Sequence, residues 1–236
     1  MTARGRAYHI LALYLGLNLE FVSPQQVERA LRRVSLITIG LTGGIASGKS
    51  VVSQMLAQRG AKVVDVDRVA HETYRPGTTG FDQLRAAFGE QVVDASGEID
   101  RRVLGGLVFG RPDQMKKLTN IVWPLTRARL EQMKRDEALA TAVLVLEAAV
   151  LIEANWVDLV DEVWVVSVPV EVAKARLMTR NGISAEQADA RIGSQITNDE
   201  RERFAQVIID NSGSLHDLEE RVDDAWTRLG VRSPAK

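Results

Sequence analysis

Residues 37–56, ITIGLTGGIASGKSVVSQML, pass from a β-branched apolar run, through three glycines, a lysine and two serines in eight positions, to an apolar pattern at helical spacing. The octet GGIASGKS at 43–50 matches G-x-x-x-x-G-K-[ST], with Gly43, Gly48, Lys49 and Ser50 at the defining positions. Glycines open backbone conformations closed to other residues and remove side chains, so that successive N–H groups converge on phosphate oxygens. The helix that starts near Lys49 adds unpaired N–H groups and the positive end of its dipole. In such a cradle Lys49 reaches the β- and γ-phosphates and the Ser50 hydroxyl sits on Mg²⁺, an ion that prefers oxygen ligands. A bare glycine-rich turn would serve no such end. The placement after an apolar strand and before an amphipathic helix is what the phosphate clamp demands.

The loop constrains the rest of the chain to a parallel sheet with helices on its faces, because strand-like and helix-like segments alternate from Leu36 onward. LITIGL, AKVVDVD, AVLVLEAAVLIE, EVWVVSVP and QVIIDNSGS read as strands, the second ending in Asp65 and Asp67. Alternation along that strand puts the two carboxylates on one side. A helical tract from about Asp113 to Leu139 is expected to break at Pro124, and a pair of charged helices flanks the Asn181-Gly182 turn. The tract from Arg68 to Ala142 is too long for a simple crossover and suggests an inserted substrate-binding part, with Arg101 or Arg102 available for an anionic acceptor.

With 236 residues, 45% of them apolar and 26% charged, the chain has the length and make-up of one globular domain with insertions. Thirty basic against thirty-one acidic side chains, net −1, argue against a broad nucleic-acid binder. The absence of cysteine excludes disulfides, thiolate zinc sites and a thiol nucleophile. The start, MTARGRAYHILALYLGLNLEF, has a basic end and a short apolar run but no small-x-small cleavage site, and falls short of a membrane span of about 20 residues. Residues 1–34 are therefore read as a helical extension without chemistry, SPQQVERALRRV carrying Ser23 as N-cap and Pro24 at the first helical position.

What is done with the nucleotide is a separate question. No guanine-reading [NT]-K-x-D segment follows a strand, which weakens a GTP switch, and the chain is short for a motor or transporter ATPase. Asp65 and Asp67 end the strand after the loop helix, where one can accept a proton from an attacking hydroxyl and the other can order Mg²⁺ or its waters. Arg176, Arg180 and Arg191 are candidates to close over the phosphates, and Asn211 and Gly213 lie where a nucleotide base can rest. At this level a kinase of nucleosides or nucleoside monophosphates, or a nucleotide-binding regulator, fits the same residues.

From Leu36 to about Leu229 the ordered series GLTGGIASGKS, VVDVDRVAHETYRPGTTG, GEIDRRVLGGLVF, NIVWPLTRARL, VLEAAVLIEANWVDLVDEVWVV, RNGISAEQADARIGSQ and VIIDNSGSLHDL resembles the dephospho-CoA kinase family. The resemblance implies an α/β fold of P-loop NTPase type in three layers, with a five-stranded parallel sheet. The core would be residues 35–67, 143–180 and 206–232, the helical CoA-binding insertion about 68–142 and the helical lid about 180–205. It implies ATP with Mg²⁺ as cofactor, dephospho-CoA as acceptor through its ribose 3′-hydroxyl, the last step of coenzyme A synthesis, a cytoplasmic location, and a monomer or small homo-oligomer with no nucleic-acid or membrane partner. By position it implies ATP contacts from Gly43, Gly44, Ile45, Ala46, Ser47, Gly48, Lys49, Ser50, Val51 and Asn211, and catalytic roles for Asp67, Lys49 and Arg180. Asp65 and Arg101 would face the substrate; Ser50, with Asp65 as a second candidate, would face the metal. The chain departs from the family pattern at Trp123-Pro124, where His-Pro is common, at AAVLIE in place of a Pro-Leu-Leu stretch, and at TRNG in place of Arg-Asp-Gly.

Overall fold

The computed structural model describes residues 36–138 and 141–230, so the N-terminal helical extension expected at 1–34 lies outside the described residues. The chain divides into two compact units, residues 65–133 and the residues on either side of them.

In the first unit β1 (Ile37–Gly43), β2 (Lys62–Asp65), β3 (Val143–Glu147), β4 (Glu162–Ser167) and β5 (Val207–Asp210) form a parallel sheet in the order β2-β3-β1-β4-β5. The central strand β1 pairs with β3 on one side and with β4 on the other, Leu41 standing between Glu147 and Trp164. Being covered on both faces, these strands read as continuous apolar runs rather than alternating ones. Ile39 and Leu41 pack with Val52 and Leu56 of helix α1 (Lys49–Gln58), with Trp164 and Val166, and with Leu218, Val222 and Trp226 of the C-terminal helix Leu215–Arg228. Burial of each such side chain contributes about 1.5–3 kcal/mol, which is why this face, rather than local propensity, fixes the sheet. Connections leave β1 toward β2 and β4 toward β5, in opposite directions along the sheet, and a crevice opens outside the carboxyl ends of strands at such a reversal.

The second unit holds α2 (Val66–Glu72), α3 (Thr79–Phe88), α4 (Arg101–Val108) and the start of α5 (Pro112–Glu137). Its own core is formed by Phe81, Leu84, Phe88, Val92, Ile99, Leu104, Val108 and Val122. Two expectations change here. Pro124 does not break α5, which runs unbroken through it. Proline in a helix interior costs about 3 kcal/mol, and the apolar face carrying Val122 and Leu130 outweighs that loss of one hydrogen bond. Nor does β2 reach Asp67: the strand stops at Asp65, whose carboxylate accepts the Arg68 N–H at 3.0 Å and caps α2, so Asp67 stands in that helix's first turn. A capping carboxylate ends the extended backbone and starts the helix in one residue. The alternation argument for the two aspartates therefore does not apply.

Back in the first unit, three helices rather than two follow β4: α6 (Val170–Asn181), α7 (Ala185–Gly193) and α8 (Asn198–Glu202). Gly182 ends α6 in the left-handed conformation, and capping boxes at Ser184 and Thr197 start the next two. The final helix, α9 (Leu215–Arg228), begins with a third capping box at Ser214.

Candidate active site

β1 delivers the chain into the octet at the carboxyl edge of the sheet, and α1 leaves it. Gly43 is needed by contact, since a Cβ there would lie 2.3 Å from the Val166 carbonyl oxygen, which the sheet holds in place. Gly48 is needed by conformation as well, with φ 95° and a Cβ position 2.2 Å from Asn211 Nδ2. Ala46 also takes a left-handed φ of 59°, unusual for a residue with a side chain. The loop is thus held in one shape by its neighbours. Lys49 Nζ donates to the Gly43 carbonyl at 2.8 Å, setting the ammonium at the loop's own entrance.

Beside the loop opens a cleft of about 850 Å³, bounded by the Ala46–Val51 backbone, Glu147, Arg176, Thr179, Arg180, Asn211 and Leu215. It has room for a nucleotide, and its loop side carries the start of α1, the positive end of that helix's dipole. Of the residues expected at the nucleotide, Ala46, Ser47, Gly48, Lys49, Ser50, Val51, Arg180 and Asn211 line this cleft. Gly44 and Ile45 border a second, smaller cavity, and Gly43 is buried. Arg180 is exposed on the last turn of α6, its Nε donating to Asn181 Oδ1. Arg176 donates to the Asn211 carbonyl at 2.9 Å, while Arg191 is exposed on α7. Asn211 is a clamp as well as a lining residue, for its buried side-chain amide donates to the Ser47 carbonyl at 2.7 Å.

Glu147 was not singled out by the sequence reading. It ends β3 beside the loop strand, is half-buried, and accepts the Ser53 hydroxyl at 2.5 Å. The signal was present, because VLVLE ends in a carboxylate as AKVVDVD does, yet the apolar residues after it made the strand look longer than it is. Ser50 and Glu147 are both hard oxygen donors on the same cleft, a set that suits Mg²⁺. No group of three or more His, Asp or Glu able to cage a metal occurs among the described residues, in keeping with an ion that retains waters and phosphate oxygens as its other ligands.

Asp65, Asp67 and Arg101 belong to the second unit. Asp65 and Asp67 are exposed, and one oxygen of Asp65 serves the α2 cap. Arg101, at the start of α4, reaches the Tyr74 hydroxyl; burial pushes the Tyr74 phenol above its ordinary range, and the neighbouring guanidinium pulls against that shift.

A family model described as dephospho-CoA kinase matches residues 37–217. A dephospho-CoA kinase of Symbiobacterium thermophilum is 46% identical over 192 residues, covering 80% of this chain and 79% of that protein. One of Geobacter sulfurreducens is 42% identical over 194 residues, covering 80% and 97%. Among solved structures, a Thermus thermophilus protein superposes with a TM-score of 0.70 at 33% identity over 83% of this chain and 98% of its own. The dephospho-CoA kinase of Campylobacter jejuni gives 0.63 at 28% over 82% and 97%. A family match across both the phosphate loop and the acidic end of β2, joined to an α/β fold that carries that loop on its central strand, leaves one conclusion: the chain belongs to the dephospho-CoA kinase family of phosphotransferases.

Proposed function

We infer that the protein phosphorylates the ribose 3′-hydroxyl of dephospho-CoA with ATP, giving coenzyme A and ADP, the last step of coenzyme A synthesis. The observation that carries this is the phosphate loop bordering a nucleotide-sized cleft in a chain whose family match extends through the whole kinase region. In the reaction the 3′-oxygen forms a bond to the γ-phosphorus, the bond from that phosphorus to the β–γ bridging oxygen breaks, and ADP leaves. The hydroxyl proton passes to Asp67, an exposed carboxylate in the first turn of α2. Lys49 and the amides of residues 46–50 hold the triphosphate, and Arg180 supplies a mobile cation for the charge that spreads over the transferring group. Mg²⁺, held by Ser50 with Glu147 and with Asp65 as a further candidate ligand, would supply charge neutralisation at the β- and γ-oxygens. Arg101, beside Tyr74, offers a cation to the phosphates of the acceptor. Asn211 and Gly213, which follow β5 and line the cleft, are where the adenine would rest.

Among the described residues no helix is long and apolar enough to cross a membrane, and the near-neutral charge offers no nucleic-acid footprint. A cytoplasmic protein acting as a monomer or small homo-oligomer fits this reading. A coupled ADP-release assay tests it. Turnover with dephospho-CoA, and none with adenosine, AMP or CMP, is the expected result; turnover with a nucleoside monophosphate instead would reassign the acceptor.

A further inference from the structure

Against the Gly44–Ser47 part of the phosphate loop lies a cavity of about 200 Å³, bounded by Gly44, Ile45 and Ser47 and by Gln195, Asn198 and Arg201. Arg201 is 2% exposed, and its Nε and Nη2 have no hydrogen-bond partner; Ser47 Oγ has none either. Nη1 stands 3.4 Å from the position a Cβ would take at Gly44. Gln195 Oε1 accepts the Ile45 N–H at 2.8 Å. The segment that carries Gln195, Asn198 and Arg201 is fixed to the sheet: Asn198 donates to the Val168 carbonyl at 2.8 Å, the Ser167 hydroxyl donates to Glu202 at 2.7 Å, and the Thr197 capping box sets the start of α8.

A buried guanidinium with unpaired donors carries a desolvation cost, which a carboxylate partner offsets in part. Desolvation works against its charge and lowers its pKa, while Glu153, whose Oε2 is buried without a hydrogen-bond partner, and Glu200 favour the charged form. Charge balance with Glu153 is one reason for a cation here, and the loop supplies a second: the guanidinium lies against Gly44 while the Gln195 carbonyl accepts the Ile45 N–H, in the half of the loop that α1 does not hold.

We propose that Arg201 is a positioning residue for the phosphate loop, a buried cation that with Gln195 fixes the Gly44–Ile45 half of the loop and adds positive potential to the anion cradle. It acts through the loop, and the assignment rests on the reading of that loop as the ATP site. The role differs from that of a lid arginine, because Arg201 is locked to the end of β4 through its own short helix.

Arg201→Met and Arg201→Lys test this by three measurements: thermal unfolding, calorimetric titration with ATP, and the coupled assay with dephospho-CoA. Arg201→Met, which also leaves Glu153 without its cation, is expected to unfold below the wild-type temperature, and its folded fraction to bind ATP more weakly with KM for ATP raised about tenfold or more and KM for dephospho-CoA within about twofold. Arg201→Lys, which keeps the charge, recovers most of the ATP affinity. Unchanged ATP binding in Arg201→Met overturns the proposal. So does an unfolding temperature lowered by more than about 5 °C with kinetics of the folded fraction unaltered, the signature of a purely structural residue. If Arg201→Met does not fold, Gln195→Met decides, since it removes the acceptor of the Ile45 N–H; an unaltered KM for ATP in that variant overturns the proposal equally. Should the wild type bind ATP but turn over no dephospho-CoA, the acceptor assignment fails while the titrations still decide the role of Arg201.

Discussion

The Asn211 side-chain amide donates to the Ser47 carbonyl at 2.7 Å, joining the loop after β5 to a phosphate loop 164 positions earlier in the chain. Both partners are buried, and the Asn211 backbone is held in turn by Ser167 through its N–H and by Arg176 through its carbonyl. The end of the last strand thus sets the height of the loop that follows the first one. Asn211→Leu keeps the approximate volume and strands the Ser47 carbonyl without a donor, which should cost about 1–3 kcal/mol. Urea unfolding measures that loss, and ATP titration should show weakened binding. An unaltered unfolding midpoint would mean that the clamp contributes nothing.

Gly48→Ala should be worse for ATP than for the fold. The new Cβ meets Asn211 Nδ2 at 2.2 Å, and Asn211 cannot swing aside without breaking its bond to Ser47. The residue also keeps a φ of 95°, strained for any side chain. ATP affinity is expected to fall by about tenfold or more. Gly97→Ala is the control, because Gly97 has a similar φ of 82° with nothing within 4 Å of its Cβ position; it should lose a little stability and no ATP affinity.

Asp67→Asn removes the carboxylate proposed as proton acceptor and changes no residue of the phosphate loop. The expected outcome is ATP binding near the wild-type value with kcat reduced about 100-fold or more. Lys49→Ala, by contrast, should weaken both binding and rate, since its ammonium stands at the loop itself. Full turnover by Asp67→Asn would move the base elsewhere in the second unit.

Glu147→Gln tests the metal side of the cleft. The amide keeps an acceptor for the Ser53 hydroxyl and removes the negative charge, so the fold should persist while the Mg²⁺ concentration needed for half-maximal rate rises severalfold. Ser53→Ala separates orientation from charge: it removes the hydroxyl that donates to Glu147 and should shift the Mg²⁺ dependence less. A Glu147→Gln enzyme with the wild-type Mg²⁺ curve would exclude the carboxylate from the metal site.

The Arg59–Asp223 pair joins α1 to α9 with contacts of 2.7 Å from both Nε and Nη2. Its hydrogen bonds with Arg59 hold the Asp223 carboxyl below the ordinary range. A depressed carboxylate stabilises the fold above its unfolded pKa of about 3.9 and loses that contribution as pH falls through the folded value. Because the aspartate is 64% exposed, the effect should be at most about 1 kcal/mol. Asp223→Asn should accordingly be less stable than wild type at pH 7 by that amount and equal to it near pH 2, read from urea unfolding at each pH.

The sequence by itself determined the strand, loop and helix of residues 37–58 and the roles available to Lys49 and Ser50, because a phosphate cradle is built from contiguous backbone and its glycines are local necessities. It also determined the five parallel strands, whose buried faces leave unbroken apolar runs. Tertiary structure alone decided what surrounds that cradle. Gln195 and Arg201 come to the loop from segments about 150 positions away, and nothing in their local sequence distinguishes a polar side chain beside the loop from a solvated one. The same holds for Pro124, which local propensity makes a helix breaker and which packing along α5 retains within one helix. Propensity acts over a few residues, whereas the burial that overrules it is settled only when distant segments meet.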